Sequence, residues 1–329
     1  MLLQIFSLFS KGVEKAYAHV GYVVEEEAMR SVAGKDFGYL SSALTTNNIL
    51  LALGVSVVLL FFIIVIPKFS FWKKFEIHVE NRLSTYGDFL PWMARLSLGI
   101  ALMGAGTAGV FFSPVLPAFS PIPFVEILLG FFFLTGFLLI PATLFTIALF
   151  VVTLFGDSYL IGNLDLLGLL FAYLALHSER PGVDDIFNFK VLNSLRLPRR
   201  FAALFLRAGI GIAMIYLALY EKILNPLFSD LVVNDFNLQS VVPVSASMWV
   251  LSVGIIELVV GLCLLFGYYT RLVSVVAFFI LSMSFFYFKE DVYSHVTLFG
   301  VLSMIFVLGG GAWSLDRWRK KPVLDEIKN

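Results

Sequence analysis

The stretch Met248–Phe266, MWVLSVGIIELVVGLCLLF, is nineteen residues long and holds one ionisable group, Glu257, near its middle. As a helix it spans roughly 28 Å, about the thickness of a bilayer's hydrocarbon core. A run of this kind must be buried in lipid. Eight more apolar runs lie near 47–66, 95–112, 122–140, 141–155, 163–177, 203–221, 271–288 and 295–311. Only 14% of the 329 residues are charged and 59% are hydrophobic, against about 25% charged in a soluble protein. The expected fold is therefore all-α, a polytopic membrane helix bundle of nine spans. The near-continuous third and fourth runs are expected to turn at Pro141.

Charge placement sets the expected orientation. Lys68, Lys73, Lys74 and Arg82 lie in the 67–94 loop, and Arg180, Lys190, Arg196, Arg199 and Arg200 in the 178–202 loop. Arg317, Arg319, Lys320, Lys321 and Lys328 follow the last span. With nine spans these three segments share one side, whereas the loops of the other side hold only Lys222 and Lys289. Basic residues concentrate on the cytoplasmic face. This predicts a cell-membrane protein with its N-terminus outside and its C-terminus inside. The first 46 residues would then be an extracytoplasmic segment. Ala16-Tyr17-Ala18 offers a signal-peptidase pattern, although charges separate it from the preceding apolar run; the alternative is an amphipathic segment on the membrane surface.

Lys+Arg and Asp+Glu both number 23, so overall charge offers no pull toward nucleic acid. The one cysteine, Cys263, excludes an intrachain disulfide or a CxxC redox pair. Haem is not expected, because His177 and His295 fall near opposite faces. No metal centre is expected either; His19, if exposed by cleavage, could offer its amine and imidazole to a copper-like ion, but metal sites normally need several placed ligands.

Beyond the first span, at 47–66, the chain repeats itself in outline. Arg95-Leu-Ser-Leu-Gly99 parallels Arg207-Ala-Gly-Ile-Gly211, and Glu126-Ile-Leu-Leu-Gly130 with Gly136 parallels Glu257-Leu-Val-Val-Gly261 with Gly267. Asn163, Gly168 and Asp184 align with His295, Gly300 and Asp316 at the same spacing. The expected organisation is two parallel four-helix units, 90–186 and 203–318, a cytoplasmic linker at 187–202 carrying a short surface helix near 186–196, and a basic tail at 319–329.

The second unit resembles the DoxX/DoxD family of four-helix membrane proteins. The resemblance rests on Arg207, Glu221-Lys222, Glu257-Leu-Val-Val-Gly261, Gly267-Tyr-Tyr-Thr-Arg271, His295 and the ending Gly309-Gly-Gly-Ala-Trp-Ser-Leu-Asp316. The first unit looks like a diverged copy that keeps Arg95, Glu126, Gly136 and Asp184 but lacks counterparts of Lys222 and Arg271. The resemblance implies a membrane redox role coupled to quinone, with a soluble redox partner protein and no fixed substrate.

Glu257, Lys222 and His295 are the candidate catalytic residues. An intramembrane carboxylate is costly and implies a function or a partner. If the four helices close, the three side chains can share an outward-opening pocket, where Glu257 and His295 would carry protons or hydrogen-bond a quinone carbonyl. Glu126, Arg207 and Arg271 are the candidate cofactor-binding residues. The plainer expectations are that Lys222 snorkels to the headgroups, that Glu221 is solvated, and that Arg95, Arg207 and Arg271 anchor helix ends by pairing with Asp184, Asp316 or lipid phosphate. A non-enzymatic scaffold or assembly factor and a small-solute transporter are the rival functions.

Overall fold

The computed structural model describes residues 37–65, 69–176, 182–188 and 195–318, with scattered positions between 20 and 32. The signal-peptidase pattern, His19, His177, most of the linker helix expected at 186–196 and the basic tail beyond 318 lie outside the described residues.

Each expected span coincides with a helix. These are α2 (Thr46–Val65), α4 (Leu90–Ala108), α5 (Ile122–Thr135), α6 (Leu139–Gly156), α7 (Leu164–Leu176), α8 (Ala202–Leu217), α10 (Ala246–Phe266), α11 (Thr270–Phe288) and α12 (Val292–Leu308). Short helix α1 (Phe37–Ser41), α3 (Ser70–Ser84), α9 (Pro226–Asp235) and a hairpin of β1 (Val110–Phe111) and β2 (Ser113–Pro117) fill the loops. Among the described residues, six helical segments are long and apolar enough to cross a membrane, and α5 and α12 are shorter. Exposed apolar side chains such as Phe155, Phe279, Met283 and Phe286 cover the outside. Such a surface suits lipid rather than water. The protein is an all-α polytopic membrane bundle.

Two sets of four helices, α4–α7 and α8 with α10–α12, enclose one continuous apolar core. They meet along two seams, where α4 packs against α12 and α7 against α8. Glycine sets the second seam: a Cβ on Gly209 would lie 2.6 Å from the carbonyl oxygen of Leu164 and 3.0 Å from the Cα of Gly168. Small residues of this kind let apolar helices approach to backbone contact, which is where packing energy in lipid comes from.

The turn between α5 and α6 falls at Gly136–Leu138, not at Pro141. Gly136 takes φ +77°, a left-handed helix cap that a side chain would strain. Pro141 is the third residue of α6, where the missing N–H costs no intrahelical bond. Arg95 closes this turn by donating to the carbonyls of Phe133 (3.0 Å) and Leu134 (3.2 Å). Asp184 accepts from the N–H groups of Leu138 (2.8 Å) and Leu139 (3.0 Å). The same device occurs between α10 and α11. Arg207 donates to Leu265 (3.0 Å), Ala312 (3.2 Å) and Trp313 (3.3 Å), while Asp316 accepts from Tyr269 (2.9 Å) and Thr270 (2.8 Å). Arg95 lies within electrostatic reach of Asp184, and Arg207 of Asp316, as expected, and each pair also divides the labour at its turn. The cation serves orphan carbonyls at one helix end and the anion serves orphan N–H groups at the next start, as the helix dipoles favour.

Candidate functional site

The far end of α8 does not stay α-helical. Ala218–Leu224 widens into a π-helix. This places consecutive charged residues inside the protein, with Glu221 1% and Lys222 9% exposed. Such local widening of a helix is uncommon and is frequent at functional sites. Gly254 lies opposite on α10, and a Cβ there would come within 3.0 Å of the Lys222 Cβ. One turn along α10 from Gly254 stands Glu257.

Lys222 bridges two carboxylates. Its Nζ lies 2.9 Å from Glu221 Oε2 and 3.1 Å from Glu257 Oε2. The first contact is a well-directed hydrogen bond; the second is an ion pair without hydrogen-bond geometry. The expected solvated Glu221 and snorkelling Lys222 are both overturned, because each is the other's counter-ion. A buried charge is tolerated only when paired, and this arrangement pairs one cation with two anions. The Glu257 side chain is 28% exposed, so the cluster is open on its α10 side.

A cap covers the same end. Helix α1 packs against the π-helix, α9 and α10. Tyr39, at its middle, donates its hydroxyl to Asp230 of α9. Burial, reinforced by Asp230, pushes the Tyr39 hydroxyl well above its ordinary pKa. Val20 and Val24 join Phe228 of α9 in a small second core.

His295 stands elsewhere. Its Nε2 lies 3.0 Å from Glu290 Oε2 and its Nδ1 2.8 Å from the Ser294 hydroxyl, on the seam side where Asp165 of α7 bonds Thr297. Glu257 and Lys222 therefore come together as expected, while His295 belongs to a second cluster.

Glu126 of α5 is fully buried and has a different environment. Helix α4 ends at Gly109, and the hairpin that follows brings the N–H of Phe112 to Glu126 Oε1 at 2.9 Å. Its other oxygen is without a hydrogen-bond partner. Arg207 is committed to helix-end carbonyls, as above. Arg271 likewise donates to Phe306 (3.0 Å) and Val307 (3.3 Å), with Glu80 at 3.8 Å. Arg207 and Lys222 lie on one helical run, about 22 Å apart at 1.5 Å per residue. The arginines and the Lys222 cluster thus mark opposite ends of the bundle.

The model of the DoxX family matches residues 202–290. Residues 202–290 form a DoxX-family domain. No curated protein and no solved structure matches the chain. The DoxX domain holds Arg207, Glu221, Lys222, Gly254, Glu257, Arg271 and Glu290, and His295 lies just past its matched end.

The apolar runs give no sign of Gly254, Asp165 or Glu290 as site residues, and Glu221 reads from them as a solvated helix end. The one available signal was adjacency: Glu221 precedes Lys222, and Gly254 precedes Glu257 by three positions. Nothing in the order of residues brings Asp165 of α7 to α12.

Proposed function

We propose that the chain is a membrane subunit of a quinone-linked redox system, with the Glu221–Lys222–Glu257 cluster as the place where quinone and protons meet. The observation that supports this is one buried ammonium between two carboxylates at 2.9 and 3.1 Å, partly open at Glu257. An ammonium has three donors, of which one bonds Glu221. Another can serve a quinone carbonyl oxygen arriving from the lipid phase. Reduction of a quinone to a quinol takes two electrons and two protons. The two protons would come from water, taken up by the Glu257 carboxylate on the open side of the cluster and passed on to the quinone, and a soluble redox partner protein would supply the electrons.

In this proposal the Lys222 end faces outward and the basic loops face the cytoplasm, following the placement of Lys and Arg. The two four-helix sets would be parallel copies, of which the second carries the ion cluster. Its shared arginine, glutamate, glycine and aspartate positions support that reading.

The test is quinone content and turnover of protein purified with its partners. Lys222→Met should lower bound quinone and slow quinone reduction by at least tenfold. Glu257→Gln should leave quinone bound while reducing turnover. Wild-type protein devoid of quinone, and partners that reduce quinone equally well without it, would instead establish a scaffold or assembly factor.

A further inference from the structure

The second cluster can be read by counting hydrogens. Ser294 has one hydroxyl hydrogen. Its Oγ lies 2.6 Å from the backbone carbonyl of Asp291, which can only accept, so the hydrogen is committed there. The same Oγ lies 2.8 Å from His295 Nδ1, and that contact needs a hydrogen too. The ring must supply it, so Nδ1 carries a proton. The other ring nitrogen, Nε2, faces Glu290 Oε2 at 3.0 Å. Two bare lone pairs would repel at this distance, so a second proton lies between them, on the imidazole or on the carboxyl.

From this count we infer that Glu290 and His295 form a proton-binding site with one exchangeable proton between them, separate from the Lys222 cluster. Its two side chains are 8% and 6% exposed. Ser294 fixes the orientation of the ring. Asp165 of α7 is within electrostatic reach of His295, is bonded to Thr297, and keeps one oxygen, Oδ2, without a hydrogen-bond partner. From α11 come Ser284, 3.4 Å from Glu290, and the ring of Phe285, which lies edge-on to the imidazole. Phe299, one turn further along α12, closes the other side. Water is thereby largely excluded from the ring. Exchange takes place at the Glu290 end, where Lys289 and Asp291 are exposed at the junction of α11 and α12. The site joins the two helix sets, because α12 packs on α4 and α7. Gain or loss of its proton changes the charge at their seam.

Nitrogen-15 spectra of histidine-labelled full-length protein in lipid test this without any activity assay. At pH 7.5, His295, assigned by its absence in His295→Gln, should show a protonated Nδ1 and an Nε2 that shares or carries the second proton. Glu290→Gln should abolish the second proton and leave the neutral ring protonated at Nδ1. Ser294→Ala should allow the neutral tautomer protonated at Nε2 to appear. Wild-type His295 neutral and protonated only at Nε2, or a spectrum unchanged by Glu290→Gln, would overturn the assignment. Either result stands independently of whether the Lys222 cluster handles quinone.

Discussion

Lys222 shows how one side chain decides the electrostatics of its surroundings. Removing it as Lys222→Met takes away the cation that Glu221 and Glu257 share, and breaking a buried pair costs about 3–5 kcal/mol. The variant should unfold in mild detergent well below the wild-type temperature, as read by intrinsic fluorescence during a thermal ramp. Adding Glu221→Gln and Glu257→Gln should restore most of that loss, since well-packed neutral groups replace buried ions at little cost. A triple variant no more stable than Lys222→Met would show that the ions are not what holds this end together. Glu257 was legible as a candidate site residue because it interrupts an apolar helix. Glu221 was not, because a charge at the end of an apolar run ordinarily meets water. Here the π-helix turns it inward and the α1–α9 cap covers it, and neither feature is written in hydrophobic periodicity.

At the level of elements, helix positions follow from apolar runs while helix ends follow from backbone chemistry. The nine runs became nine helices, yet the turn before α6 moved from Pro141 to Gly136, where left-handed backbone is needed. The charged loop at 67–94 contains a fifteen-residue helix, α3, whose pattern is polar enough to be passed over when searching for spans. Asp316 makes the chemistry of ends testable. It accepts N–H groups from Tyr269 and Thr270 and the hydroxyl of Thr270. Asp316→Ala orphans these donors at the start of α11 and should cost roughly 1–3 kcal/mol. Hydrogen exchange at Tyr269 and Thr270 should accelerate, with the Lys222 end unaffected. Unchanged exchange would place the stability of this turn in Arg207 and Gly267 alone. Gly209→Leu tests the seam instead. Its side chain would meet backbone within 2.6 Å, so α7 and α8 must separate, and the expected outcome is loss of folded yield.

For the whole molecule, the order of the helices was legible but their neighbours were not. That α4 meets α12 and α7 meets α8 depends on matching small residues from distant parts of the chain, such as Gly168 with Gly209 and Ser97 with Gly300. This is why His295 could be selected as a polar residue and yet be assigned to the wrong cluster. Orientation, by contrast, is a property of the summed charge. An odd number of spans with Lys68, Lys74, Arg82, Arg196, Arg199 and Arg200 on one side requires that side to be cytoplasmic if the positive-inside rule governs insertion. A reporter fused after Asn329 should then be active in the cytoplasm and silent outside. Single cysteines in a Cys263→Ser background give the finer check. Glu80→Cys on α3 should resist a membrane-impermeant maleimide in intact cells and react after permeabilisation. Gln239→Cys, in the loop between α9 and α10, should react in intact cells. Labelling of position 80 in intact cells, with protection of 239, would invert the protein and turn the opening at Glu257 toward the cytoplasm.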